Sequence, residues 1–157
     1  MSGSPESFPR RGGMWVAAQM ALLAAVVALG PLWPGEWPSN LVVVCGRVLL
    51  MVSAVFAVSG FAALGRNLSP YPRPRAGATL VRHGIYSLVR HPLYASLMLG
   101  SIGWALVWRS GPALASAVLL ALVLQAKAKV EERWLRERFP EYADYARHVR
   151  RFIPWVY

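Results

Sequence analysis

The chain has 157 residues and a net charge of +10, from 17 lysines and arginines against 7 acidic residues. Hydrophobic residues make up 56% and charged residues only 15%, whereas a soluble domain is about 25% charged. This composition argues against a disordered chain and an ordinary soluble domain, because both need more polar surface. It favours an integral membrane protein over the alternative, a nucleic-acid binder, which would carry its charge on a polar surface.

Four apolar stretches predict membrane helices. Residues 14–33 and 41–64 are 20 and 24 residues long, enough to cross a hydrocarbon core of about 30 Å. Residues 92–108 and 112–126 are 17 and 15 residues long and flank a turn, so we predict that they form a tight helical hairpin. The expected fold is therefore all-α, an integral membrane protein with about four transmembrane helices and a cytoplasmic C-terminal helix.

The basic residues predict the orientation of these spans. Two precede the first span at Arg10 and Arg11, five lie between the second and third spans, and eight follow from Lys127 onward, which places 15 of the 17 on one side. The positive-inside rule then predicts that both termini are cytoplasmic, most simply in a bacterial inner membrane. We expect the first span to be a retained signal anchor, with a cleaved signal peptide as the alternative.

The loop before the third span concentrates polar side chains. Two arginines, two histidines and two tyrosines occur within the 13 residues from Arg82 to Tyr94. Pro92 suits the first position of a helix, whose free N–H groups and positive dipole end then lie beside Arg90 and His91. Such a helix start is suited to a carboxylate or a phosphate. The alternative is a basic loop that contacts anionic lipid head groups.

A second polar region, residues 127–139, is predicted to continue the helix of the fourth span. Glu132 has Arg136 one turn ahead, and this i,i+4 pair is a sufficient structural reason for a glutamate there. Glu131 has a leucine at the same offset, so its own helix explains it less well. We therefore expect Glu131 to bind an ammonium group or to pair with an arginine of the loop, and the alternative is that it lies on a solvated helix face.

The remaining polar residues predict no other kind of site. Tyr142, Tyr145 and Phe152 alternate with basic residues in the tail and are expected at a membrane interface. His83 and His91 lack an evident third ligand, so we predict no metal site. The sequence has no phosphate-binding glycine loop and no nucleophile elbow, and we expect no nucleic-acid partner.

Several motifs follow one another in the second half of the chain, and their ordered combination is specific. They are Leu80-Val-Arg-His-Gly-Ile-Tyr86, Val89-Arg-His-Pro-Leu-Tyr94, a hydrophobic hairpin, Glu131-Glu132, Leu135, Phe139, Glu141-Tyr142, Tyr145 and Phe152-Ile-Pro154. The pattern resembles the isoprenylcysteine carboxyl methyltransferase family and is similar to the related phospholipid N-methyltransferases. The resemblance covers residues 80–154, about half of the chain. Members of the family are multi-span membrane enzymes that use S-adenosylmethionine.

The resemblance implies a cofactor site between the loop and the helix with the two glutamates. The residues implied to bind S-adenosylmethionine are Leu80, Val81, Tyr86, His91, Pro92, Tyr94 and Glu131. Arg90 and Glu131 are the implied catalytic residues. Lys127 stands where prenylcysteine enzymes have an arginine for the substrate carboxylate, so it is the implied substrate-binding residue.

The resemblance also implies the reaction and the partners. We expect a methyltransferase that acts on a lipophilic acceptor entering from the lipid bilayer, by O-methylation like that of isoprenylcysteine. Phospholipid N-methylation is the alternative, and a non-catalytic protein that binds anionic lipid is a second. The whole chain, 1–157, is predicted to form one membrane domain, with a two-helix part over 1–66 and a methyltransferase-like part over 67–157.

Overall fold

The computed structural model describes residues 12–37, 39–71 and 77–153, and this part of the chain is helical without strands. Its five helices are α1 (Gly13–Leu32), α2 (Asn40–Leu64), α3 (Pro92–Val107), α4 (Gly111–Arg138) and α5 (Tyr142–His148). Short 3-10 turns occupy Gly65–Asn67 and Gly84–Ser87. The predicted features at Arg10, Arg11 and Pro154 lie outside the described residues.

The predicted all-α membrane fold is confirmed, and one of its four apolar helices is short. Three helices are long and apolar enough to cross a bilayer, namely α1, α2 and α4, while α3 is an apolar helix of 16 residues. Large apolar side chains on α2 such as Val44, Met51, Val55 and Val58 are exposed, as expected for a lipid-facing surface. The helix of the fourth span continues without a break to Arg138, as the sequence predicts.

The predicted hairpin of α3 and α4 is also present. The Ser110 hydroxyl accepts a hydrogen bond from the amide of Ala113 and so caps the start of α4. The same hydroxyl donates to the carbonyl of Leu29 at 3.0 Å, which ties the turn to α1. Gly111 and Pro112 follow, where the proline needs no amide partner. The turn therefore holds three helices together at one end of the bundle.

Helices α2 and α3 pack closely because small residues line their contact. A Cβ atom added to Gly46 would lie 2.8 Å from the carbonyl oxygen of Gly103 and 2.9 Å from the amide nitrogen of Val107. Nearby, the Ser53 hydroxyl donates to the carbonyl of Ser96 at 2.7 Å. Small residues allow such close approach of helix backbones in membranes.

Replacing Gly46 by alanine is expected to lower the free energy of unfolding by about 1–3 kcal/mol, because the added methyl group meets backbone atoms that cannot rotate away. Thermal unfolding in detergent measures the change. Gly111→Ala is the matched control, since a Cβ atom there meets nothing within 4 Å. Equal midpoints for the two variants would contradict the close packing of α2 on α3.

The end of the chain returns to the start of α3. Beyond α5, Arg150 pairs with Val89 in an isolated parallel bridge. The amide of Arg90 donates to the carbonyl of Arg150 at 2.8 Å, and the amide of His91 donates to that of Arg151 at 3.0 Å. The loop before α3, the polar end of α4 and the C-terminal segment thus meet at one end of the bundle, which we call the loop end.

Candidate functional site

A cavity of about 120 Å³ opens at the loop end, between the loop before α3 and the polar end of α4. Of the nine residues that the sequence assigned to a site, seven line it: Leu80, Val81, Tyr86, Arg90, His91, Tyr94 and Glu131. Pro92 lies directly behind this wall and is fully buried. Lys127 lines a different cavity, described below. We call this first one the polar cavity.

The outer wall of the polar cavity is a loop held by a side-chain clasp. The amide of Thr79 donates to Asn67 Oδ1 at 3.0 Å, and Asn67 Nδ2 donates to Thr79 Oγ1 at 3.2 Å. Gly84 then begins the 3-10 turn with a φ of 59°, a conformation that glycine adopts without strain. The turn buries Tyr86 against the site.

Glu131 faces the polar cavity with few partners. The Tyr94 hydroxyl donates to Glu131 Oε2 at 2.6 Å, and His91 Nδ1 lies 3.9 Å from the same oxygen. The Glu131 side chain is 26% exposed, which leaves its carboxylate open to the cavity. The sequence predicted that Glu131 has no ion-pair partner one turn ahead in its own helix, and its contacts in the structure agree with this.

Glu132 is the centre of a buried ionic network, which the sequence did not reveal. Its side chain is 1% exposed. It accepts hydrogen bonds from Arg151 Nε at 2.9 Å, Arg151 Nη2 at 2.8 Å and Arg90 Nε at 3.2 Å, and His91 Nε2 lies 3.2 Å from Oε1. The predicted pair with Arg136 exists at 3.5 Å but is exposed on the arginine side. The predicted i,i+4 pair is therefore present, but the buried contacts with Arg151, Arg90 and His91 are the stronger reason for a glutamate here.

Arg90 lines the polar cavity, but its guanidinium is engaged by this network. Its Nη1 donates to the carbonyls of Ala146 and Val149 at 2.6 and 2.9 Å, while its Nε and Nη2 bind Glu132. The guanidinium therefore joins the C-terminal segment to α4. A catalytic role for Arg90 remains a prediction, and these contacts indicate that it would act by positioning its neighbours.

The tail tyrosines are buried inside the protein, whereas the sequence predicts them at a membrane interface. Tyr142 and Tyr145 are buried and line the polar cavity, and Phe152 is buried beside His91. The Tyr145 hydroxyl donates to the carbonyl of Tyr86. Burial raises the pKa of Tyr145 to about 12 and that of Tyr142 still further, so both hydroxyls keep their protons. Because they are about one helical turn apart in α5, both side chains lie on the same, inward face of this helix.

A second, larger cavity of about 570 Å³ lies between α1, α2 and α3. Most of its wall is apolar and includes Leu23, Val26, Phe61 and Leu97, so we call it the apolar cavity. It extends along α3 from Tyr94 to Trp104, about 15 Å at the rise of an α-helix. A cavity of this length and lining suits a hydrocarbon chain.

Lys127 closes the loop end of the apolar cavity. Its side chain is buried, and its ammonium donates to Gln19 Oε1 at 2.7 Å and to the carbonyl of Pro70 at 2.9 Å. It also lies 5.1 Å from the centre of the Tyr94 ring. Both of these hydrogen-bond acceptors are neutral, and the carboxylate whose charge acts on the ammonium is Glu131, one turn further along α4.

Three residues that contribute to the site were not predicted from the sequence to do so. Gln19 is a single amide in an apolar span, Tyr142 lies in an aromatic-basic tail, and Arg151 belongs to a basic run. For Gln19 the isolated polar residue within a predicted span was a usable signal. For Tyr142 and Arg151 no local pattern distinguishes a buried contact from an exposed one.

Comparison with known proteins identifies related sequences. Residues 41–142 match the model of a family described as phospholipid methyltransferase. The cobalt-zinc-cadmium resistance protein CzcN of Cupriavidus metallidurans is 35% identical over 145 residues, which are 92% of this chain and 63% of that protein. The nickel-cobalt-cadmium resistance protein NccN of Alcaligenes xylosoxydans xylosoxydans is 30% identical over 145 residues, 92% of this chain and 64% of that protein.

A plant enzyme is also similar. Protein-S-isoprenylcysteine O-methyltransferase B of Arabidopsis thaliana is 26% identical over 138 residues, 85% of this chain and 68% of that protein. The chain spans a little less than two thirds of the length of the two resistance proteins. The resemblance predicted from the loop and glutamate motifs is thus confirmed at the level of sequence relationship.

Proposed function

The chain belongs to the phospholipid methyltransferase family, and we propose that it is an S-adenosylmethionine-dependent methyltransferase that acts on a lipophilic acceptor within the membrane. When bound, S-adenosylmethionine supplies an electrophilic methyl group on a sulfonium. The protein then needs to hold an acceptor in line with that methyl group and to keep water away from it. The residues described above suit that task better than proton transfer.

The observation that carries this proposal is the shared wall of the two cavities. Ser69, Leu93 and Tyr94 line both the polar and the apolar cavity. The polar cavity would take the cofactor, and the apolar cavity would take the hydrocarbon part of the acceptor. The reacting groups would then meet beside Tyr94, at the boundary between a polar and an apolar space.

The polar cavity has the charges that the amino-acid end of S-adenosylmethionine needs. His91 Nε2 lies 3.2 Å from Glu132, and in the neutral tautomer that donates from Nε2 the other nitrogen, Nδ1, is an acceptor. That Nδ1 lies 3.9 Å from Glu131 Oε2. An ammonium group could donate to both, which supports the implied role of Glu131 and His91.

The polar cavity must widen to hold the whole cofactor, because ligand pockets commonly have about 300–1,000 Å³. The inner wall is the buried network of Glu132, which resists movement. The outer wall is the loop near Thr79, which is exposed and held by the clasp with Asn67. We propose that this loop moves outward on binding, while Leu80 and Val81 keep contact with the cofactor.

Lys127 favours an acceptor that carries an anion. A buried ammonium at the loop end of the apolar cavity would attract the carboxylate of a prenylcysteine-like acceptor or the phosphate of a phospholipid. In carboxyl O-methylation the anion that Lys127 holds is itself the methyl acceptor, whereas in phospholipid N-methylation the acceptor is an amine that Lys127 would repel, so this placement supports O-methylation. Lysine donates from a single nitrogen, so it would hold the carboxylate as a point charge rather than as a fork.

The test of the function uses purified protein in lipid-like detergent with S-adenosylmethionine labelled in its methyl group. We expect calorimetric binding of the cofactor and transfer of label to an S-farnesylcysteine derivative, with less transfer to phosphatidylethanolamine. The reverse preference would establish N-methylation. Absence of cofactor binding, with retention on vesicles of anionic lipid, would instead support a non-catalytic lipid-binding protein.

We further propose that the loop end faces the cytoplasm, since most of the basic residues lie there. Single cysteines at Glu36 and at Lys129, in a variant in which Cys45 is replaced by alanine, are expected to react with an impermeant maleimide from opposite sides. Intact spheroplasts should label the first and spare the second. Labelling of the cysteine at position 129 in intact spheroplasts would show that the orientation is the opposite one.

Replacing Lys127 by methionine is expected to raise the KM for the carboxylate acceptor by about 10-fold or more, because a charge-assisted hydrogen bond is lost. Affinity for S-adenosylmethionine should change much less than this KM, since Lys127 does not line the polar cavity and reaches it only through Tyr94, which it shares with Glu131. Initial rates and calorimetry separate the two effects. The matched control is Lys129→Met, which changes an exposed lysine of the same helix, and an equal effect of both variants would contradict the role of Lys127.

A further inference from the structure

The hydroxyl of Tyr142 is a buried polar group without a hydrogen-bond partner among the described residues. The Tyr142 side chain is among the largest that are fully buried, with 1% exposed, and it lines the polar cavity. Burying an unpaired hydroxyl is costly. A partner that arrives with a ligand would remove that cost.

Other donors of the inner wall are already engaged. The Tyr94 hydroxyl donates to Glu131, and the Tyr145 hydroxyl donates to the carbonyl of Tyr86. Arg90 donates to Glu132 and to two backbone carbonyls. The Tyr142 hydroxyl is therefore a donor that a ligand can use without breaking a bond seen in the structure.

The neighbouring charges indicate which group it would meet. If Glu131 and His91 hold the ammonium of S-adenosylmethionine, the carboxylate on the same carbon atom must lie close by and needs a donor. Burial keeps the Tyr142 hydroxyl protonated by raising its pKa, so it remains able to donate. A neutral donor is enough here, because Arg90 also lines the polar cavity and adds positive charge to its wall.

We propose that the Tyr142 hydroxyl donates a hydrogen bond to the carboxylate of S-adenosylmethionine and is a cofactor-binding residue. The inference rests on the proposed function, since it needs the cofactor in the polar cavity. Tyr142 would therefore fix the amino-acid end of the cofactor together with Glu131. The chemistry of the methyl transfer would not change.

The experiment compares Tyr142→Phe with Tyr145→Phe, each removing one buried hydroxyl from α5. Calorimetry measures binding of S-adenosylmethionine and of its decarboxylated analogue, and thermal unfolding measures the free protein. Tyr142→Phe should bind S-adenosylmethionine about 10-fold more weakly, bind the analogue as the wild type does, and unfold at the same temperature as the wild type or higher. Tyr145→Phe should unfold at a lower temperature because the carbonyl of Tyr86 loses its donor.

Unchanged binding of S-adenosylmethionine by Tyr142→Phe would overturn the proposal. Equal weakening for both ligands would also overturn it, since the hydroxyl would then act on another part of the cofactor or on the fold. If the wild type binds neither ligand, the proposed function fails and the role of Tyr142 fails with it. These outcomes separate an error in the residue from an error in the function.

Discussion

Replacing Glu132 by glutamine is expected to lower the free energy of unfolding by about 3 kcal/mol, the lower end of the range for a buried ion pair that loses one partner. The carboxylate holds Arg90 and Arg151, whose side chains are only 10% and 18% exposed. Without it two guanidinium groups remain close together with no compensating charge. The amide of glutamine has the same shape but accepts fewer and weaker hydrogen bonds.

The same change should release the end of the chain. The bond from Arg151 to Glu132 attaches the C-terminal segment to α4. The same segment accepts backbone hydrogen bonds from Arg90 and His91 at the start of α3, and we expect these to weaken when Arg151 is released. Thermal unfolding in detergent measures the loss of stability, and limited trypsin digestion after Arg150 reports the release. We expect faster cleavage there in Glu132→Gln than in the wild type.

The control for Glu132 is Arg136→Gln, which removes the i,i+4 pair and the contact of Arg136 over the Tyr142 ring and leaves the buried network intact. The Arg136 side chain is 52% exposed, and exposed pairs contribute about 0–1 kcal/mol. A small effect of Arg136→Gln beside a large effect of Glu132→Gln would establish the buried network as the main role of Glu132. Equal effects of the two substitutions would make the i,i+4 pair with Arg136 a sufficient explanation of Glu132.

Replacing Glu131 by glutamine is expected to weaken S-adenosylmethionine binding by about 10- to 100-fold with little change in stability. A hydrogen bond between charged groups contributes about 1.5–3 kcal/mol, and each 1.4 kcal/mol is tenfold in affinity. The amide oxygen still accepts from the Tyr94 hydroxyl, so the wall of the cavity should be preserved. Calorimetry and thermal unfolding measure the two quantities on one sample.

The matched control for Glu131 is Glu137→Gln, on the exposed face of the same helix. It removes the same charge from α4 without altering the polar cavity, so affinity should stay close to that of the wild type. Normal binding by Glu131→Gln would contradict the assignment of this carboxylate to the cofactor ammonium. Weaker binding by Glu137→Gln to the same degree would point to a general effect of charge.

The adjacent glutamates show what local sequence can and cannot predict. Helix geometry distinguishes their offsets, so the separation of a paired Glu132 from an unexplained Glu131 was a sound prediction. The predicted pair with Arg136 exists, but the closer partner is Arg151, which is 19 residues away and reaches Glu132 only when the chain turns back after α5. No spacing rule within one helix can predict a contact made by a returning segment.

The prediction for the aromatic residues of the tail missed their burial for a related reason. An aromatic ring with a polar tip suits a membrane interface and the wall of a cavity equally well. Tyr142 and Tyr145 lie in a helix of only 7 residues, whose position depends on the carbonyls that Arg90 binds. The choice between lipid and protein surroundings was therefore made by packing.

The amino-acid sequence by itself determined the all-helical membrane class, the positions of the apolar helices and the polar segments that meet at the site. It could do so because hydrophobic length and residue spacing are local properties that need no knowledge of neighbours. Tertiary structure alone decided that Glu132 is buried, that Gln19 holds Lys127 and that two cavities share Tyr94. Each of these joins residues far apart in the chain, and their distances arise only when the helices pack.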